Sequence, residues 1–343
     1  MNIFITGATG YIGQRLALQL AECGHVIHAL ARNAIKGKSL LAHENIEIFQ
    51  GDILNPDSLR HAMHGCEQVY HLAALASVWN KDPNAFNRMN VQGLRNVLDC
   101  CLELNIRDFL FTSTAGVVGH SENGQPVSER TNANPELETL YEKSKLEAED
   151  VLINYVSKGI RGVIVNPSRV YGPGLLTESN GFTRMMKMYI NDQWKIKPCN
   201  GSSIGNYVYI DDTISGLISA MERAQPGERY LLGGVNATYN EFFRIVDDLT
   251  GKERKLYNIP LPAMLIFSHV HLLISRISGK QPLITPPFVR KYNKHWIVSS
   301  GKAINELSYN ITPLRDGIKE TLKWLDQIPL TADTSSSYLR ANS

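Results

Sequence analysis

Two residues four apart, Tyr141 and Lys145, frame the chemistry this chain is equipped to do. At helical spacing they share one face. A lysine ammonium beside a phenol favours phenolate, so the pair predicts a Tyr141 with a lowered pKa. A tyrosine tuned this way exchanges a proton with a substrate oxygen near neutral pH. Thr114 or Ser113, in the run Thr112-Ser113-Thr114-Ala115-Gly116, offers a hydroxyl to hold the same oxygen. Taken alone, Tyr-x-x-x-Lys is more often a surface tyrosine with a helical lysine. A second pattern gives it weight. Gly7, Gly10 and Gly13 follow the apolar run Ile3-Phe4-Ile5 and precede Leu16, Ala17 and Leu20 at helical spacing. Strand, glycine turn and helix in that order cradle a phosphate. Glycine lets the backbone approach closely, and the helix N-terminus presents unpaired N–H groups.

The surrounding elements must bring these two groups together. Apolar runs at His25 to Ala31, Asn45 to Phe49, Gln68 to Leu72 and Phe109 to Phe111 read as strands. Between them lie helical stretches, one opening at Asn55-Pro56-Asp57 and one over Asn90 to Leu104. That alternation predicts an α/β fold with a doubly wound parallel sheet of the Rossmann kind. Ligands sit at the carboxyl ends of such strands, which puts Gly7, Asp52, Ala73 and Thr112 to Thr114 on one rim. Asp52 is placed either to accept from an adenine amino group or to cap the next turn. The small Ala73 and Ala74 leave room for a flat ligand. An acidic residue at the end of the second strand would bond the ribose of NAD; here Arg32 follows it, with Lys36 and Lys38 behind. A cation there suits the extra phosphate of NADP(H), so NADP(H) is favoured and NAD(H) stays open.

Composition narrows the alternatives. The chain has 343 residues, 43% of them hydrophobic, enough for a sizeable core. A formal charge of +2 with scattered Lys and Arg argues against a nucleic-acid partner. Five cysteines show no zinc-type spacing, so no metal site is expected and reduced thiols are. With the first strand starting at residue 2, no leader peptide is expected and a cytoplasmic location is.

As a set, TGATGYIG (6–13), GDI (51–53), HLAA (71–74), NVQGLRNVL (90–98), FTSTAG (111–116), YEKSK (141–145) and NPSRVYGPG (166–174) resemble an extended short-chain dehydrogenase/reductase, of the NAD-dependent epimerase/dehydratase superfamily. The resemblance covers roughly the first half of the chain. It implies Thr114, Tyr141 and Lys145 as the catalytic set, with Lys145 also bonding the nicotinamide ribose. It implies cofactor contacts at Gly7, Thr9, Gly10, Tyr11, Ile12, Gly13, Arg32, Asp52, Ile53, Leu72, Ala73, Ala74, Pro167 and Ser168, with Ser113 and Arg169 facing substrate. Within the family, NPSRVYGP and ERYLLGG (228–234) look closest to the dihydroflavonol-reductase-like and hopanoid-associated sugar-epimerase group. Nucleotide-sugar epimerases and dehydratases typically carry an Asn where Arg169 stands, and often an Arg just before the Asp-Tyr of a later strand, where this chain reads Gly205-Asn206-Tyr207-Val208-Tyr209 without that Arg. Arg169 offers a compensating charge. The resemblance therefore implies NADP-dependent reduction or oxidation of a carbonyl or hydroxyl on a small apolar substrate. The rivals are an epimerase or dehydratase with tightly bound NAD, and a non-catalytic NADP-binding protein. It also implies a homodimer through helices at 90–104 and 139–157.

The second half is less regular. A Rossmann domain over residues 1–170, completed by a strand and helix around 205–225, is expected beside a smaller C-terminal α/β substrate domain over 171–326. A disordered tail is expected over 327–343. Met185, Met186 and Met188 read as core filler or as a flexible pocket wall. Asp211 and Asp212 read as caps and charge partners of a helix running to about Ala224. Trp296 to Ser299 reads as a last strand. Residues 260–277, too short and too polar for a membrane span, read as an amphipathic lid packed on the domain. A membrane-surface patch is the alternative.

Overall fold

The structure, a computed structural model, describes residues 1–131 and 136–327. The expected tail lies almost wholly outside them, as does part of the turn-rich stretch before Tyr141.

The first half alternates as expected: β1 (Asn2–Thr6), α1 (Tyr11–Glu22), β2 (Val26–Ala31), α2 (Ala34–Leu40), β3 (Ile46–Gln50), α3 (Pro56–Met63), β4 (Gln68–His71), α4 (Asn84–Asn87), α5 (Gly93–Glu103), β5 (Asp108–Thr112), α6 (Leu140–Val156) and β6 (Arg161–Pro167). The second half adds β7 (Arg169–Tyr171), α7 (Gly181–Ile190), β8 (Ile196–Pro198), β9 (Ile204–Tyr209), α8 (Ile210–Arg223), β10 (Arg229–Leu232), β11 (Val235–Thr238), α9 (Tyr239–Thr250), β12 (Tyr257–Ile259), α10 (Leu261–Ser278), α11 (Pro286–Asn293), α12 (Gly301–Leu307) and α13 (Leu314–Asp326).

Seven strands form a parallel sheet in the order β10-β6-β5-β4-β1-β2-β3. The order reverses between β1 and β4, which opens the crevice where such sheets bind ligands. Strand residues alternate between two cores: Ile3 and Ile5 pack under α1 and α8, whereas Phe4 packs with residues of α3, α5 and α6. Both faces are covered, as a parallel sheet requires.

Several expectations need correction. The strand near residue 205, β9, leaves the main sheet and forms a three-stranded sheet with β7 and β11; β10 takes the edge of the main sheet instead. Helix α8 does pack back on the main sheet, through Ile214 and Leu217. The stretch over Asn90 to Leu104 is not one regular helix, because a π-helical turn at Arg88–Gln92 precedes α5. Asp211 and Asp212 sit inside the first turn of α8 and do not cap it. Asp211 pairs with Arg15 at 3.0 Å, and Asp212 accepts from the Thr312 hydroxyl at 2.6 Å. Trp296 to Ser299 makes one isolated bridge, Val127 to Val298, and no strand. Met186 is core, while Met188 is exposed.

Helix α10 departs furthest from expectation. Of its residues only Ser268 and Ser275 are buried; Leu261, Met264, Leu265 and Leu272 are half-buried, and Ile266, Phe267, Val270, Leu273, Ile274 and Ile277 are exposed. It is not a packed lid. With 18 residues at a mean hydropathy of 1.4, it is also long and apolar enough to cross a bilayer, contrary to the length argument.

Candidate active site

The glycine turn closes on itself through backbone contacts. Gly7 has φ +75°, and a Cβ there would lie 2.6 Å from the Ala73 nitrogen; a Cβ on Gly13 would lie 2.2 Å from the Gly7 oxygen. No other residue type fits either position without moving backbone. Gly10 precedes α1, whose first turn carries no acidic residue and no side-chain cap, so its N–H groups are left for an anion. The Thr6 hydroxyl accepts from the Ala73 N–H at 3.2 Å and meets His71 Nδ1 at 3.0 Å. This ties the ends of β1 and β4 together beside the turn. Burial, with Lys145 behind it, drives the His71 pKa down to about 3, so the ring is neutral.

Helix α6 is set by a capping box. Thr139 accepts from the Glu142 N–H at 3.2 Å, and Glu142 accepts from the Thr139 N–H at 3.3 Å. This fixes Tyr141 in the first turn. Buried Glu142 also packs on Gly116 and pairs with Lys291 of α11. Asn90 clamps the same helix to the loop after β4, donating to Ser144 Oγ at 2.8 Å and accepting from the Leu75 N–H at 2.7 Å. One turn beyond Tyr141, Lys145 is buried. Its ammonium donates to the Thr112 carbonyl at 2.6 Å and lies 4.0 Å from the centre of the Phe111 ring. Burial lowers its pKa to about 7, with Glu149 working in the opposite direction. A fully buried residue of β6 completes the support. Asn166 donates to the Thr114 carbonyl at 3.0 Å and to Glu149 at 2.7 Å, and Glu149 pairs with Arg229 of β10.

The expected tuning of Tyr141 is overturned. Burial pushes its pKa up, and neighbouring Glu142 adds to the rise. The phenol of the free protein therefore holds its proton firmly.

The expected residues divide between two places. Gly7, Thr9, Gly10, Ile12 and Gly13 lie between the carboxyl end of β1 and the first turn of α1, and Leu72, Ala73 and Ala74 follow the carboxyl end of the neighbouring β4. Arg32 is exposed at the carboxyl end of β2. Asp52 accepts from the Leu54 N–H at 2.9 Å, the turn-capping alternative. Two side chains turn inward: Ile53 packs against Gly93, and the Tyr11 hydroxyl donates to the Gly172 carbonyl at 3.2 Å. Pro167 ends β6 and is buried.

Thr114, Ser168 and Arg169 line a pocket of about 190 Å³. Ser113, Tyr141 and Lys145 do not; Ser113 and Lys145 are buried and Tyr141 is half-buried. Beside Ala115, Gly116 and Val298, the wall is formed by residues that sequence reasoning missed: Phe182, Asn206, Phe288, Lys291, Tyr292 and Trp296. The methionines of α7 are not part of it. The Arg169 guanidinium lies 5.4–5.9 Å from the ring centres of Phe182, Tyr207, Tyr239 and Tyr292 and donates to the Tyr239 hydroxyl at 3.3 Å. Its Nη2 is buried without a partner, and no carboxylate pairs with it among the described residues.

These features fit a dinucleotide. The turn admits only glycine, the helix N-terminus is free of acid, and the Ser168 hydroxyl is buried without a partner. Comparison with known proteins agrees. Residues 3–233 match the NAD dependent epimerase/dehydratase family. The chain belongs to that family. Its relatives include the bifunctional dihydroflavonol 4-reductase/flavanone 4-reductase of Malus domestica, 28% identical over 282 residues, covering 76% of this chain and 78% of the relative. Sterol demethylase protein B of Methylococcus capsulatus is 27% identical over 331 residues, covering 94% of this chain and 98% of the relative. The crystal structure of gox2253 superposes with a TM-score of 0.79 at 28% identity, over 95% of this chain and 98% of the other. As a member of this family, the protein is an NAD(P)-dependent oxidoreductase of the extended short-chain type.

Proposed function

We propose that the protein is an NADP-dependent reductase of a carbonyl on a small, largely apolar substrate that carries an anionic group. The observation that carries this reading is the pocket wall, where Thr114 and Ser168 meet aromatic side chains and an Arg169 without a carboxylate partner. A buried cation lacking an opposite charge favours a ligand that brings one. Arg32, exposed where an NAD-type site would place an acid, supports the preference for NADP. Bound along the glycine turn, the cofactor would supply or accept the hydride.

The chain's own residues do the rest. Thr114 offers its hydroxyl to the substrate oxygen. Tyr141, held protonated by burial, gives its proton to that oxygen as charge develops there. Lys145 stands one turn away, fixed by the Thr112 carbonyl, where it would hold the nicotinamide ribose and favour the phenolate left when Tyr141 gives its proton to the substrate oxygen. The names of the relatives, a flavanone and dihydroflavonol reductase and a sterol demethylase protein, support an apolar ring substrate. A homodimer through α5 and α6 and a cytoplasmic site of action belong to the same proposal.

The test is turnover of NADPH and NADH against a panel of apolar keto acids, neutral ketones and nucleotide sugars, with Tyr141→Phe alongside. The expected result is NADPH-dependent reduction of a keto acid, lowered by at least ~10²-fold in the variant while cofactor binding survives. Turnover of nucleotide sugars alone, with NAD retained through purification, would replace this reading by an epimerase or dehydratase. Unchanged turnover in Tyr141→Phe would remove Tyr141 from the mechanism.

A further inference from the structure

The outward face of α10 is built against the ordinary rule for a soluble protein. Ile266, Phe267, Val270, Leu273, Ile274 and Ile277 are 49–81% exposed. At 3.6 residues per turn they fall within an arc of about 120°. The two buried residues, Ser268 and Ser275, lie seven apart on the opposite side, each donating back into the helix, to the Leu265 and His271 carbonyls. A surface helix ordinarily turns its apolar stripe inward and its polar residues outward. Here the inward side holds Ser268 and Ser275 beside half-buried Leu261, Met264, Leu265 and Leu272, while a second apolar stripe of six residues faces away. Leu283, 77% exposed just beyond the helix, extends the patch.

Along the chain, the charge flanking the patch has one sign. From Arg254 to Asn305 the chain carries eight Lys or Arg and no Asp or Glu. Five of the eight are engaged with carboxylates elsewhere in the fold: Arg254, Arg290, Lys291, Lys294 and Lys302. The others, Lys255, Arg276 and Lys280, bracket the helix at its two ends and have no acidic partner among the described residues. An apolar stripe flanked by cations complements an anionic lipid surface, where acyl chains cover the stripe and headgroup phosphates meet the cations.

The fold also decides how the helix would sit. Its length suits a span, but both ends are stitched to one body. Before it, β12 pairs with β8. After it, α11 is joined to α6 and its approach through the Arg290–Glu138 and Lys291–Glu142 pairs. A span would tear one of these away, whereas a helix lying in the plane of the interface disturbs neither.

We propose that α10 is an in-plane anchor that docks the protein on an anionic bilayer surface. Because α11 follows directly and supplies Phe288, Lys291 and Tyr292 to the pocket, docking brings that wall close to the lipid. The inference does not depend on which substrate is reduced.

The experiment is co-sedimentation of the full chain with phosphatidylcholine vesicles, with and without phosphatidylserine. Sedimentation velocity in the absence of lipid accompanies it. Leu273→Glu/Ile277→Glu and Arg276→Gln/Lys280→Gln are the variants, both altering exposed positions that do not line the pocket, with thermal unfolding and NADPH binding as folding controls. The wild type should sediment with phosphatidylserine vesicles, less so at high salt. The glutamate variant should lose at least ~10-fold in binding, and the glutamine variant should lose the preference for the anionic lipid. Failure of the wild type to bind either vesicle would overturn the proposal, as would binding indifferent to phosphatidylserine. A wild-type dimer that the glutamate variant dissociates, without vesicle binding, would assign the face to a second copy of this chain.

Discussion

Replacing Lys145 by methionine is expected to stabilise the protein while abolishing its turnover. Lys145 is 1% exposed, and burial holds its pKa at about 7 against an ordinary 10.5. At ~1.4 kcal/mol per pKa unit, that depression corresponds to about 5 kcal/mol of native-state cost for the protonated side chain. Methionine fills much of the same space without the charge. It also strips the Thr112 carbonyl of its donor, which returns about 1–3 kcal/mol of cost. The net gain is therefore about 2–4 kcal/mol where the wild-type lysine is charged in both states. The folded pKa lies below the unfolded one. Between about pH 7 and pH 10 the unfolded wild type thus holds more protons, and wild-type stability rises with pH. Methionine does not titrate, so the advantage of the variant is full below about pH 7 and shrinks towards pH 10. Urea unfolding of both proteins at several pH values across that range, followed by tryptophan fluorescence, measures it. A variant less stable than wild type on the acid side would refute the reasoning, and so would a difference independent of pH. Either outcome would mean that Glu149 and the Thr112 carbonyl compensate the charge fully.

Two further perturbations probe the supports of the site. Arg229→Met leaves Glu149, itself 1% exposed, without its cation. With Arg229 29% exposed, the lower end of the usual range applies, a loss of about 3 kcal/mol at neutral pH. Burial already raises the Glu149 pKa, and the variant raises it further. The loss therefore fades as pH falls through that raised value, and thermal unfolding at neutral and mildly acidic pH should show the gap closing. Gly13→Ala puts a Cβ 2.2 Å from the Gly7 carbonyl oxygen, so the turn must open. NADPH affinity should fall by at least ~10-fold and stability by about 1–3 kcal/mol, read by fluorescence titration and by melting; affinity equal to wild type would show that the turn does not hold the cofactor.

What the sequence disclosed was local. The glycine turn, the Tyr141–Lys145 face and the strand-helix rhythm are each fixed by spacing over a few residues, and each stands in the structure as read. The pocket wall was out of reach because Lys291, Tyr292 and Trp296 come to Thr114 from far along the chain. Glu142 carried a partial signal, as the fourth residue of a Thr-x-x-Glu box, but nothing local announces its pairing with Lys291. The Tyr141 pKa was misread for a related reason. Spacing places a lysine nearby, whereas desolvation depends on everything packed around the phenol. Helix α10 was misread because apolar periodicity says that a face wants covering and not what covers it.

The return of β10 to the main sheet governs how the chain must be made. β6 has β5 on one side and β10 on the other, and β10 is translated only after β7, β8, β9 and α8. Until then a nascent chain carries β6 as a bare edge, with a row of unpaired backbone groups. Glu149 also waits, because its cation Arg229 arrives on that same late strand. A ribosome-bound chain truncated before residue 229 therefore has every glycine of the turn yet lacks the strand that completes the sheet. Completion of the main sheet thus waits on synthesis of β7 to β9 and α8, which precede its edge strand in the chain.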